Sequence, residues 1–280
     1  MPPAVALRVN AETQIAMKRP TELYDAYIFD LDGTVYLGDS LLPTAGETIS
    51  RLRALGRRTV FLSNNPTQPR ERYAARLSDL GLTTPAADVV NSSLALISFL
   101  RRRLPGATLF VVGEPSLERE LTDAGFTLSD RAADIDAVIA SFDRTLVYRK
   151  LQIAFDAIRA GARFFATNGD RYCPVPGGGE PDAAAVIAAI EACTNTRVEA
   201  IVGKPSRFMA EAVLELVDTP AARCLMTGDR LETDVLMALN AGMAGALTLT
   251  GATSPEQLAE ATIVPTYVLR RLDDLLPEAS

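Results

Sequence analysis

Several polar side chains in this sequence stand just after short apolar runs. Asp30 and Asp32 close the run in "AYIFDLDGT". Two carboxylates this close repel each other unless a cation lies between them. Ser63, Asn64 and Asn65 follow "TVFL", and Lys204 follows "AIVG". Asp229 follows "CLMTG", with Asp234 one helical turn further along. Asp30, Asp32 and Asp229 offer hard oxygen ligands suited to Mg2+, which is commonly held by a few carboxylates, water and phosphate oxygens. Beside such a cation Asp30 can attack phosphorus and form an aspartyl-phosphate. Lys204 supplies a positive point charge, while the Ser63 hydroxyl and nearby backbone N–H groups donate to phosphoryl oxygens. Asp32, next to a carboxylate and a phosphate, is disfavoured as an anion. Its pKa then rises enough to protonate the leaving oxygen, and the resulting carboxylate can activate water.

Each piece alone has an ordinary reading. Asp32–Gly33 is a common turn dipeptide, Ser63 to Asn65 before Pro66 suits a helix entry, and Asp229 suits a helix cap. Lys204 would be a solvated loop lysine. What joins them is position. All four stretches end apolar strands, and in an open parallel sheet those carboxyl ends share the edge where ligands bind.

The elements that must hold this edge are legible as alternation. Short apolar runs at 26–30, 59–63, 109–112, 137–141, 164–167, 201–203, 224–227 and 247–250 read as strands. Helical patterns near 44–56, 69–81, 91–103, 115–125, 147–161, 182–194, 206–218 and 231–241 separate them. The expected class is α/β with a doubly wound, mostly parallel sheet. Two stretches break the pattern, "GLTTPAAD" at 81–88 and "NGDRYCPVPGGGEPD" at 168–182, the latter too rich in Pro and Gly for regular structure. They bracket a segment with its own βα alternation, read as a second domain at 85–181 inserted into a core of 20–84 and 182–280. One continuous sheet of about eight strands is the alternative.

Composition removes several functions. The formal charge of −7 argues against a sequence-independent nucleic-acid binder. The run Arg101 to Arg103 ends a helical pattern, where cations suit the helix C-terminus. Three scattered cysteines support neither a zinc site nor a disulfide framework, and they fit a reducing compartment, the cytoplasm. No apolar run approaches the ~20 residues of a membrane span, and the first twenty residues do not read as a signal peptide. The sequence contains no histidine, which eliminates Ser–His, Cys–His and HExxH mechanisms.

With these motifs in order, the sequence resembles the haloacid dehalogenase superfamily of phosphatases. The similarity extends to its NagD-like, p-nitrophenylphosphatase-like subgroup (subfamily IIA), through "DLDGTVY" at 30–36, "SNN" at 63–65, "DRTLVYRKL" at 143–151, "ATNGD" at 166–170 and "GKPS" at 203–206. The resemblance implies a Rossmann-like core with an inserted α/β cap of the C2 type. It makes Asp30 the nucleophile and Asp32 the general acid/base. Asp30, the Asp32 carbonyl and Asp229 would hold Mg2+, with Asp234 in support. Gly33, Ser63, Asn64 and Lys204 would hold the phosphoryl group, while Asn65, Asp143, Arg144, Asn168 and Asp170 would lie towards the substrate. The implied partner is a small phosphorylated metabolite, not nucleic acid or a membrane, and a homodimer through the cap is open. Residues 81–88 and 168–182 would be the hinges of cap closure. Gly169 stands where the family pattern has proline, and the loop after it looks compressed, a departure that bears on the substrate and leaves the catalytic motifs untouched. A phosphotransferase or mutase on the same core, or a phospho-aspartate switch, are the rival readings.

Overall fold

The computed structural model describes residues 17–175 and 177–277. Residues 1–16, most of the stretch read above for a leader, lie outside the described residues.

The strand that carries Asp30, Ala26–Asp30, is fully flanked. It pairs in parallel with Cys224–Gly228 on one side and Arg58–Ser63 on the other, with Phe29 opposite both Thr227 and Phe61. Ala244–Thr248 and Tyr267–Leu269 extend the sheet beyond Cys224–Gly228, and Val89–Asn91 extends it beyond Arg58–Ser63. Alternate residues feed two cores. Tyr27, Phe29 and Phe61 pack on one face with Ile49, Leu52 and Leu77, while Ile28, Val60, Leu62 and Met226 pack on the other with Met209 and Val213. Burial on both faces explains why these strands read as unbroken apolar runs rather than alternating ones. It also confines polar groups to the strand ends.

A second parallel sheet runs Ala200–Ile201, Arg163–Ala166, Ala137–Ala140, Thr108–Val112, Thr127–Leu128. Helices Ser92–Arg103 and Pro115–Asp123 cover one face through Leu96, Phe99, Leu117 and Leu121. Tyr148–Arg159 and Ala183–Thr194 cover the other through Ala154, Ile158, Val186 and Ile190. The chain therefore builds two sheets rather than one, a doubly wound core with an inserted α/β cap, as the alternation implied.

The boundaries differ from the sequence expectation. Val89–Asn91, assigned above to the insertion, belongs to the core sheet, and 182–201, assigned to the core, belongs to the cap. The reason is pairing: a three-residue and a two-residue strand complete opposite sheets, and neither is long enough to show a period. The chain thus crosses at about Asn91–Ser92 and Val202–Gly203 rather than within 81–88 and 168–182. Nor is 168–182 irregular throughout. Tyr172–Val175 and Gly178–Pro181 form an antiparallel hairpin turning at Gly177, whose φ of 84° favours glycine. Pro174 is tolerated there because a two-stranded hairpin leaves half its N–H positions unpaired.

Phe165 lies wholly buried in the cap, edge-on to Phe99 with ring centroids 5.1 Å apart. Phe165→Ala is expected to lower stability by about 3–5 kcal/mol, read as a shift in the urea-unfolding midpoint.

Candidate active site

The four polar strand ends converge. Lys204 Nζ lies 2.5 Å from Asp30 Oδ1 and 2.7 Å from Asp234 Oδ1, and all three side chains are buried. Asp229, also buried, joins them: carboxylate oxygens of Asp30, Asp229 and Asp234 lie within 4.8 Å of one another. Burial costs each charged group its hydration. It raises Asp30 well above the ordinary carboxylate range and pushes Asp229 up to about 6, with Asp234 adding to both shifts. Lys204 moves upward despite its burial, since Asp234 and Asp30 hold its proton in place. Three carboxylates facing one ammonium leave two negative charges uncompensated, and oxygen donors with that residual charge fit a hard divalent cation.

Glycines make this density possible. A Cβ on Gly33 or Gly251 would strike the Asp229 carboxylate, and one on Gly228 would strike Asp234. Gly33 also needs its φ of 86° to turn the chain after Asp32. The Asp229 carboxylate is aimed by Ala252 N–H at 2.6 Å, and Asp234 by Arg230 N–H at 3.1 Å. The helical segment expected from 231 opens with a wider π turn, Leu231–Val235, which carries Asp234 before Leu236–Asn240 continues as α-helix.

Asp32 stands apart from the cluster at the mouth of the cleft. Its surface reaches solvent, yet the surrounding walls crowd it and raise its pKa, against the opposing pull of Arg76 and Lys204. That direction is the one a proton donor requires. Ser63, buried at its strand end, accepts from Asn65 N–H at 3.2 Å.

Asn64 joins the core to the cap. Its Oδ1 accepts from Lys204 N–H at 2.7 Å, while its Nδ2 donates to the Asp170 carboxylate of the cap at 2.8 Å. Asn168, fully buried, donates to Asp170 at 2.9 Å and to Asp182 at 3.0 Å. Core and cap are therefore joined through amides and carboxylates at the site itself. Asn65 folds inward, its Oδ1 accepting from Thr67 and its Nδ2 reaching Cys173 of the hairpin at 3.8 Å.

Two residues expected to look towards the pocket are engaged within the cap. Asp143 is buried against Lys150 at 2.6 Å and also accepts from Thr145 N–H and Oγ1. Arg144 forks onto Glu114 at 2.6 and 2.9 Å over the Phe142 ring. Matching spacing alone could not reveal these local partners. Conversely, Arg230, Asp182, Cys173 and Gly251 were not singled out. Arg230 was hidden by its neighbour Asp229, and Asp182 by its role as helix cap to Ala183–Thr194.

A doubly wound core with four polar strand ends beneath an inserted domain defines a class of hydrolase, and the comparisons agree on which. The model of the haloacid dehalogenase-like hydrolases matches residues 27–127, and a second, HAD-hydrolase-like model matches 201–275. The sugar-phosphatase AraL of Bacillus subtilis is 38% identical over 248 residues, covering 89% of this chain and 90% of its own. The crystal structure of 4-nitrophenylphosphatase from Thermotoga maritima superposes with a TM-score of 0.86 at 35% identity, covering 90% of this chain and 96% of that one. NagD from E. coli gives 0.82 at 29% identity, covering 92% and 99%. The chain belongs to the haloacid dehalogenase-like hydrolases, in their NagD-like branch, and is a phosphatase. Among the described residues, no helix is long and apolar enough to cross a membrane.

Asp182 supplies a test of the cap's electrostatics that is independent of any metal. Burial pushes its carboxyl from 3.8 up to about 6, so the folded state binds a proton that the unfolded chain has lost. Stability from this group is therefore full below about pH 4 and lost as pH rises through about 6. Relative to Asp182→Asn, wild type should lose about 2 kcal/mol between about pH 4 and pH 7, measured by chemical unfolding at both ends.

Proposed function

We propose that the chain hydrolyses small phosphomonoesters, sugar phosphates foremost, through an aspartyl-phosphate on Asp30. The observation that carries this reading is the buried Asp30–Lys204–Asp234 arrangement with Asp229 alongside, at the carboxyl edge of the sheet. The sugar-phosphate preference is supported by the name of the Bacillus relative.

Asp30, the Asp32 carbonyl and Asp229 are the groups that would hold Mg2+, with Asp234 behind them. The bound ion would neutralise charge on the phosphoryl oxygens. An Asp30 carboxylate oxygen attacks phosphorus as the ester P–O bond breaks. Asp32 gives its proton to the leaving oxygen, then takes one from the water that cleaves the aspartyl-phosphate, so ester and water become alcohol and phosphate. Lys204 and the Ser63 hydroxyl offset negative charge on the transferring group. Asn64 fixes the Lys204 loop, accepting from its N–H and donating to its carbonyl oxygen. Asp32 so near the nucleophile favours turnover over a lasting phosphoaspartate, and the hydrolase names among the relatives favour water as acceptor over a second hydroxyl.

Release of inorganic phosphate from a panel of sugar phosphates is expected with Mg2+ and not with EDTA. Asp30→Asn should lower it at least about a thousand-fold; full activity in that variant, or in EDTA, would overturn the reading. Asp32→Asn should lower kcat by about 10²- to 10⁴-fold and remove one limb of the pH–rate profile. A profile identical to wild type would exclude Asp32 as the acid/base.

A further inference from the structure

Beyond the phosphoryl position the cleft carries a second, smaller group of polar side chains that the reaction above leaves unused. Asp170 and Asp182 share one amide, since Asn168 Nδ2 donates to Asp170 Oδ2 and to Asp182 Oδ1. Asp170 Oδ2 also accepts from Asn64, and Asp182 Oδ1 from Ala183 N–H. Each carboxylate thus has one oxygen fixed. Its other oxygen makes no hydrogen bond to any described residue.

Arg230, on the core, lies within electrostatic reach of this pair. It follows Asp229 directly, and its backbone N–H is tied to Asp234 at 3.1 Å, which fixes the backbone from which the side chain departs. Its half-buried guanidinium makes no hydrogen bond or close ion pair with a described residue, yet lies within electrostatic reach of Asp229, Asp170, Asp234 and Asp30. Arg230 also acts on Asp182 and Asp32. A guanidinium half removed from water with its fork unfilled is a ready donor, and two free carboxylate oxygens beside it are ready acceptors.

That set has a definite chemical complement. A vicinal diol donates to a carboxylate and accepts from a guanidinium, so neutral polyols satisfy both. A leaving group with a second anion would meet Arg230 but would also lie against Asp170 and Asp182, and like charges at such distances are strongly disfavoured.

Resting on the phosphatase reading above, we propose that Asp170, Asp182 and Arg230 read the leaving group. They select a neutral polyhydroxyl alcohol and reject one that bears a carboxylate or second phosphate. Asn168 is the positioning residue that holds the two carboxylates together.

The test uses the intact protein and a matched pair of esters, glucitol 6-phosphate and gluconate 6-phosphate, with 4-nitrophenyl phosphate as a separate gauge of phosphatase chemistry. Wild type should favour glucitol 6-phosphate over gluconate 6-phosphate in kcat/KM by about tenfold or more. Asp182→Asn should narrow that ratio several-fold. Arg230→Gln should raise KM for glucitol 6-phosphate more than it raises KM for 4-nitrophenyl phosphate, which offers no hydroxyl. Equal kcat/KM for the matched pair in wild type, with 4-nitrophenyl phosphate hydrolysed, overturns this inference and leaves the phosphatase reading standing. No release from 4-nitrophenyl phosphate overturns both.

Discussion

The structure turns on the placement of three buried carboxylates around one buried amine. Charged groups removed from water are unstable unless their partners are held at contact. The contacts of Lys204 with Asp30 and Asp234 bring together residues from the middle and both ends of the core. The sheet order follows from that requirement. Ala26–Asp30 must run between Arg58–Ser63 and Cys224–Gly228 so that Ser63, Asp30 and Asp229 emerge side by side. The Lys204 loop then has to close over them from the end of the cap. Gly33, Gly228 and Gly251 are the concession the backbone makes, because a single methyl at any of them would displace a carboxylate.

The same constraint gives the cap its attachment. Asn64 stands next to Ser63 and divides its amide between core and cap, on the Lys204 backbone and on Asp170. Through Asn168 the connection reaches Asp182 and hence the start of helix Ala183–Thr194. Asn64 thus ties the cap directly to the backbone of the buried lysine, with no intervening residue. The hairpin beyond it touches Asn65 through Cys173 and so overhangs the same cleft.

Much of this was legible beforehand, for identifiable reasons. The central strands are buried on both faces, so they appear as apolar runs with their polar groups displaced to the ends, and those ends are where the site lies. Gly56, Gly81, Gly125, Gly161 and Gly242, all at positive φ, follow helices, and Asn91, Asp182 and Ser206 cap the starts of three others. The misplacements have equally specific causes. Val89–Asn91 and Ala200–Ile201 are too short to carry a period, and only their partners decide which sheet they join. The Pro- and Gly-rich stretch lacks apolar alternation, yet it pairs with itself as a hairpin. Asp143 and Arg144 lie in a recognisable motif, and only the tertiary structure shows their pairing with Lys150 and Glu114.

By itself, then, the sequence determined the chemistry available: a pair of aspartates at one strand end, a hydroxyl, an amine and two more carboxylates at others, with no histidine to share the work. These follow from residue type and local spacing, which a linear chain carries in full. Tertiary structure decided which of those groups meet and which are already occupied. It set Asp234 rather than solvent against Lys204, joined Asn64 to Asp170 across more than a hundred residues, and left the Arg230 guanidinium without a close partner among the described residues. Contacts between distant segments depend on how two sheets are closed and oriented, and no local pattern encodes that geometry.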